Sequence, residues 1–526
     1  MKNYRKSGTF LFTIFNLIIS NVLIGQQYQL VRDYHDPAKT ILKAEYYIDP
    51  NDSNKIEGEF KRFYASSNSL EMTTTYKEGK MDGPYLEFYE NGKPKAQYKY
   101  NNGKIVGPYV KYNEHGIPMV KCNYVEGKIE GTMTRYFPSQ KIEATVEFKN
   151  GMREGKMLQY FETGELMAEY NYKADKKEGK VLVYSKEGKV LQEGKYALDV
   201  LEDTFLTRYP DETPETISHF KEGELDGLTT KYYEDGTLKE EINYRNGKEH
   251  GLVKTYFPNG NLMTKANFIN GKMNGNFTTY FENGQEKTVM ETEDGQKTGV
   301  FRTYNEKGIL ILEGNMLRGV VNGENKGYYS SGKLKHEFNY AYGKKEGENL
   351  KYYESGELME KTIFKNKELD AKTETFHPNG VVKSKIEIKG NKPVGKWEFF
   401  HTNGKPSIIE SYENGVLSGI RNSYYESGNL KKEEPFTNGK LNGTVKSYFD
   451  NPEKLKQEVN YNAKGLIYGE VKNYYENGQV ESMGRQYMDK KLDIWQYFDE
   501  SGTLLKKEQY NRGELLKTEI PEEEKK

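Results

Sequence analysis

Few residues of this 526-residue chain have types that could do chemistry, and each falls on a repeating position. His377 and His401 stand 24 residues apart, in one slot of adjacent repeats. Two histidines in one row could share a metal. Two strand spacings is too far, however, for two ligands each ~2.0–2.1 Å from one zinc unless the side chains converge. The pair therefore reads as a polar substitute for Tyr on an exposed face. Cys122 is the only cysteine. Its slot holds Tyr98, Val146, Tyr170 and Ile242 in other repeats, so it reads as a small buried hydrophobe. A nucleophilic role needs a base, and the sequence suggests none nearby. Glu recurs at 90, 114, 162, 234, 282, 354, 426 and 476, and Lys at 104, 128, 248, 272, 344 and 440. Such rows could meet a charged partner, but they fit solvated turn residues that blunt aggregation of a thin sheet. No GxSxG, HExxH, phosphate loop or dinucleotide fingerprint occurs in usable context. The expectation is no catalytic set, no metal and no cofactor.

The elements that position these residues come from one copied motif. With Gly83 as the first slot, the same slot recurs every 24 residues from 83 to 443, without an insertion. Gly58 precedes this run, and Gly469 and Asp493 follow it, which makes nineteen units. Sixteen have Gly in the slot; Asp203, Ala371 and Asp493 depart. Five residues on stands Phe or Tyr in every unit but one, where Arg208 replaces it. A period of this size indicates a solenoid or array.

Each unit contains two strand-length runs between two turn clusters. From Gly227 the clusters are Glu234-Asp235-Gly236 and Arg245-Asn246-Gly247. Asn-Gly and Asp-Gly favour hairpins because both residues tolerate positive φ. In the second run Leu238, Ile242 and Tyr244 share one face and Lys239, Glu241 and Asn243 the other. The pattern predicts an all-β fold: an elongated, twisted, single-layer antiparallel hairpin array of about nineteen 24-residue units, with two strands each. Tyr232, Tyr256, Tyr280, Tyr304, Tyr328 and Tyr352 are expected to form one packed ladder. Gly236, Gly260 and Gly284 are expected to take positive φ in their turns.

Composition agrees with a thin sheet. Hydrophobic residues make up 35% of the chain, and 44 of them are Tyr. Mean hydropathy is −0.92, so no thick aliphatic core is expected. Aromatics at 13% argue against disorder. The net charge of −1 gives no field for nucleic acid.

The ends and lapses divide the chain. Residues 1–25 carry a basic start, an apolar run from Phe10 to Ile24, and Gly25, the order of a secretory signal. An uncleaved anchor is the alternative. Residues 26–57 read as an N-terminal cap or partial repeat, and 58–202 and 227–513 as repeats. Residues 203–226, with Pro210 and Pro214, read as a degenerate unit or hinge, with a bulge favoured. The stretch 449–465 has two extra residues around Pro452, expected in a loop. Residues 514–526 read as a frayed charged tail.

Segments such as Asn-Gly-Lys-Leu-Asn-Gly-Thr-Val-Lys-Ser-Tyr-Phe at 438–449 resemble MORN repeats of the bacterial variant. So does His250-Gly251 followed by Tyr256-Phe257 and Asn259-Gly260. Chains of this type are often labelled YwqK-like antitoxins. The resemblance covers about residues 58–513 and implies a twisted hairpin array that contacts proteins or lipids. It supplies no catalytic motif.

The expected function is an exported, non-enzymatic scaffold that binds a protein partner along an extended aromatic and charged β surface. The alternatives are an antitoxin or immunity protein that neutralises a toxin by binding, and a membrane-lipid-binding repeat protein. The expected location is the periplasm, the outer membrane surface or the exterior. N-terminal sequencing of the protein from the envelope fraction should find a start near Gln26. A cytoplasmic protein that retains Met1 would contradict the export signal.

Overall fold

The computed structural model describes residues 28–452 and 454–521. The signal-like segment 1–25 lies outside these residues, as do 522–526. The chain divides into two compact units, Met1–Lys248 and Glu249–Lys526. Among the described residues there are fifty strands and no helix. Each unit is an open antiparallel meander, not closed into a barrel.

One repeat shows how the sequence sets the register. Gly83–Phe88 pairs with Pro94–Asn101, from Gly83↔Tyr100 to Phe88↔Pro94. The next strand, Lys104–Tyr112, returns along Pro94–Asn101. The two turns differ although both contain Asn-Gly. In the first, Gly92 N–H donates to Tyr89 O and Tyr89 N–H donates to Lys93 O, each at 2.8 Å. Only Gly92 there has positive φ, +78°, which is the type I turn closed by a glycine bulge. In the second, Asn102 and Gly103 both have positive φ, +47° and +79°, the type I′ hairpin. Gly236, Gly260 and Gly284 belong to the first kind, with φ of +83°, +83° and +86°. Their neighbours Asp235, Asn259 and Asn283 do not take positive φ, because the longer loop needs only one left-handed residue.

The slot glycine is a third special point. It sits mid-strand at a break in the ladder, with φ between +63° (Gly299) and +126° (Gly83). In many repeats its pairing partner is aromatic, as in Gly107↔Tyr124, Gly227↔Tyr244 and Gly251↔Phe268, whereas Gly275 and Gly299 pair with Thr292 and Met316. Asp203 and Asp493 fill the slot with φ of +66° and +57°, since Asp tolerates the left-handed region. Ala371 does not take positive φ. There the ladder from Lys365↔Asp370 to Glu360↔Thr375 runs without a register shift. The extra residue moves into the turn instead, where Asn366, Lys367 and Glu368 have φ of +51°, +56° and +73°. The 24-residue count survives because the left-handed residues are relocated, not removed.

The core is a line along one face. Inward pairs are complementary in volume: Phe301↔Gly314, Tyr109↔Cys122, Thr229↔Ile242 and Trp495↔Glu508. A Cβ on Gly194 would come within 2.5 Å of Phe205, and one on Gly484 within 2.4 Å of Trp495, so these glycines make room for the large ring next door. Cys122 is buried, and burial pushes its thiol up to about 11, which makes it inert.

Residues 203–226 keep the repeat geometry: Val200–Arg208 pairs with Pro214–Lys221 from Asp203↔Phe220 to Arg208↔Pro214. Their shift between Thr207 and Arg208 is the one that other repeats carry beside the first turn, so pairing continues without an extra bulge. Before Gly58, Gln29–Tyr34 and Leu42–Asp49 pair as a hairpin that covers the strand Asp52–Phe63. Glu514–Glu519, expected to fray, instead pairs with Leu504–Asn511, because Arg512-Gly513 supplies a positive-φ turn.

The slot conformation predicts an asymmetric response at Asp493. Asp493→Gly should leave the melting temperature equal or higher, whereas Asp493→Val should destabilise the C-terminal repeats by about 1–2 kcal/mol. Thermal melts of the two variants check this; equal melts would contradict a required left-handed backbone.

Candidate functional site

The repeated side chains are positioned by bonds from one repeat to the next. The expected Tyr ladder is present as a row, but not as packed rings. Among the described residues no ring contact joins Tyr280, Tyr304, Tyr328 and Tyr352 to one another. Copies stand about 9.6 Å apart, beyond the ~4.5–7 Å of ring pairs. Their hydroxyls serve instead. Tyr328 OH donates to Glu313 at 2.6 Å and Tyr352 OH to Glu337 at 2.8 Å. Tyr448 and Tyr474 do the same to Glu433 and Glu458, at 2.6 and 2.7 Å. Burial, then the adjoining carboxylate, pushes the Tyr328 and Tyr352 phenols up to about 12. Arg208, the single non-aromatic in the row, reaches Glu193 at 3.3 Å. Glu193 stands 15 residues back, the offset of Tyr328 to Glu313. The exception thus keeps the bond and changes the donor. Tyr232 and Tyr256 end the strands Gly227–Tyr232 and Lys248–Tyr256.

The next residue along forms a second row. Tyr209 OH donates to Tyr232 O at 2.8 Å, Tyr329 OH to Tyr352 O at 2.7 Å, and Tyr425 OH to Tyr448 O at 2.9 Å. His377 and His401 occupy this row. His377 Nε2 lies 3.0 Å from Phe400 O, and His401 Nε2 3.1 Å from Tyr424 O. A proton on Nε2 lets each histidine donate as the tyrosines do. The pair is not brought together on one metal. Lysines lie over the rings of this row: Lys287 over Phe281 at 5.4 Å, Lys335 over Tyr329 at 5.5 Å and Lys431 over Tyr425 at 5.3 Å. These are cation–π distances.

The turns are tied in the same way. Asn91 Nδ2 donates to Glu114 O, Asn259 to Glu282 O and Asn403 to Glu426 O, at 2.7–3.0 Å. The glutamate row therefore contributes backbone carbonyls. In the lysine row, Lys104 pairs with Glu126 at 2.8 Å, both side chains largely exposed, which adds little stability.

Sequence reasoning missed a further aromatic row. The rings at Tyr76, Tyr100, Tyr124 and Phe148 pair across the second turn with Met81, Ile105, Ile129 and Arg153. Rings thus alternate with apolar spacers along one edge. Where the spacer is cationic it sits over the rings: Arg153 lies 4.2 Å from Tyr172, and Lys177 is 5.0 Å from both Tyr170 and Tyr196. The signal lay in the sequence, split between the end of one repeat and the start of the next.

A groove of about 510 Å³ lies within residues 425–481. It adjoins the turn between Phe449 and Leu455, which carries one of the two extra residues of this repeat; the other lies between Tyr461 and Gly469. Tyr425, Phe449 and Tyr475 wall it, and Gln457 and Asn473 lie on its floor. Among the described residues no group of three or more His, Cys, Asp or Glu is placed to hold a metal ion. The chemistry on offer is stacking, hydrogen bonding and charge.

If the hydroxyl-to-carboxylate bond fixes neighbouring repeats, Tyr328→Phe should cost ~0.5–1.5 kcal/mol. Arg208→Tyr should be tolerated better than Arg208→Leu, which leaves Glu193 with one donor fewer. Denaturation of the three variants checks both; no loss in Tyr328→Phe would contradict the role of the bond.

Nine segments match the model of the MORN repeat variant: 81–102, 153–174, 225–246, 249–270, 321–342, 345–366, 393–414, 417–438 and 467–489. No curated protein matches the chain. Among solved structures, one titled as TcdB2-TccC3-Cdc42 aligns at 11% identity over 92% of this chain and 35% of that one, with a TM-score of 0.13. The chain thus spans about a third of that protein's length. A eukaryotic initiation factor aligns at 12% identity over 82% of this chain and 97% of that one, also with a TM-score of 0.13. Scores of this size carry neither fold nor function across. The family match falls on the repeat itself: this chain is a β-hairpin repeat protein whose units match the MORN repeat variant at nine places.

Proposed function

We propose that the chain is an exported, non-enzymatic scaffold that binds a protein partner along its repeated β surface. One observation carries this reading. The polar and aromatic groups that recur are engaged between repeats, and no catalytic family is indicated by the comparisons. MORN-type repeats suggest a scaffold. A surface of this kind distributes binding over several repeats, with tyrosines as anchors, because the ring offers large contact area at low entropic cost. Export rests on the order of residues 1–25.

The test uses deletions of single 24-residue repeats, starting with 275–298, assayed against the partner recovered from the envelope fraction. Removing one whole repeat keeps every row in register, so folding should persist. Binding should fall in proportion to the repeats the partner spans. Complete loss from one deletion, with all others neutral and folding intact, would favour a unique site.

A further inference from the structure

In six repeats a lysine lies over the ring that follows the Tyr row, as Lys239 does over Tyr233, Lys287 over Phe281 and Lys335 over Tyr329, while Glu143 and Glu215 hold the same position in two others. In the groove of residues 425–481 both signs line one cavity. Lys431 lies 5.3 Å from the centre of Tyr425, and Lys456 5.5 Å from that of Phe449. At the corresponding position beside Tyr475 stands Glu481, with Glu476 lining the same end. Among the described residues none of Lys431, Lys456, Glu476 and Glu481 belongs to an ion pair. The groove therefore has a basic end and an acidic end, both uncompensated. Its floor suits a peptide group, because a side-chain amide both donates and accepts. Gln457 Nε2 donates to Asn473 Oδ1 at 2.9 Å, and Asn473 Nδ2 donates to Ser482 Oγ at 2.8 Å. Those bonds orient both amides and leave Gln457 Oε1 without a partner among the described residues.

We infer that this groove takes an extended peptide segment of the partner, with a carboxylate side chain toward Lys431 and Lys456 and a cationic side chain toward Glu476 and Glu481. The inference rests on the scaffold reading and names where and what it grips. Adjacent repeats stack about 9.6 Å apart, so Glu481 lies on the order of 9.6 Å from Lys456 and 19 Å from Lys431. An extended peptide rises ~3.3 Å per residue, and side chains four residues apart share a face at ~13 Å. That spacing falls between the two, within reach of long side chains. The rings wall the residue between the charges.

The test titrates the full chain with three blocked pentapeptides, followed by NMR. Each has a central Tyr between two Thr, and the ends are Glu and Lys, Glu and Glu, or Lys and Lys. The Glu/Lys peptide should bind up to about fivefold tighter than either like-charged peptide, the range of one exposed ion pair. Glu481→Lys should turn the preference to the Glu/Glu peptide. Lys431→Glu with Lys456→Glu should turn it to the Lys/Lys peptide. All three side chains lie at the surface, so unchanged circular dichroism is expected. Equal binding of the three peptides, no binding, or a preference that ignores the charge reversals would overturn the inference. If that happens while deletion of 275–298 still weakens partner capture, the groove assignment falls and the scaffold reading stands.

Discussion

The structure depends on one backbone constraint, a left-handed residue at the start of every repeat but the one that begins at Ala371. A strand paired on both sides has no slack, and a residue at φ near +63° to +126° breaks the ladder and shifts the register by one. Glycine takes that conformation at low cost. The substitutes at this slot follow the same physics. Asp203 and Asp493 hold the left-handed backbone. Ala371 does not, and the three left-handed residues at 366–368 absorb the change within the same 24-residue length. What the repeat conserves is its length between ladders.

A single sheet cannot bury much, and the described residues include no large side chain that is fully buried. Stability therefore comes from neighbours. Tyrosine hydroxyls reach carboxylates and carbonyls of the adjacent repeat, turn asparagines reach the next turn, and rings alternate with spacers along one edge. Each bond is worth little alone, ~1 kcal/mol, but each is copied. The exceptions keep the bond while changing the donor: Arg208 to Glu193 in place of a phenol, His377 to Phe400 O in place of a hydroxyl. A surface whose polar groups are already spent between repeats offers partners stacking area and residual charge. Where Lys431 and Lys456 share a groove with Glu476 and Glu481, it offers a direction as well.

Much of this was legible in the sequence. The 24-residue period, the strand lengths and the open hairpin array follow from glycine and aromatic spacing alone. The two kinds of Asn-Gly turn were not legible, because Asn91-Gly92 and Asn102-Gly103 are the same dipeptide, and the flanking ladder decides which residue turns left-handed. The bonds from the Tyr row to carboxylates were not legible, because a row in sequence does not reveal the strand that lies between its members. The row of Tyr100, Tyr124 and Phe148 was overlooked because its spacers Ile105, Ile129 and Arg153 belong to the next repeat. The groove assembles from three repeats at unequal spacing, so no window of sequence contains it.

The central claim is that side chains of one turn fix the backbone of the next. Amide exchange at the second turns tests it most directly. Asn102 N–H donates to Asp82 at 3.1 Å, Asn150 to Glu130 at 2.7 Å and Ala174 to Glu154 at 2.8 Å. In the repeat between the first two, the equivalent amide, Glu126, faces Val106, which has no acceptor side chain. The account predicts that Asn102, Asn150 and Ala174 exchange more slowly than Glu126, although all four sit at exposed turn tips. Equal rates at all four would contradict it.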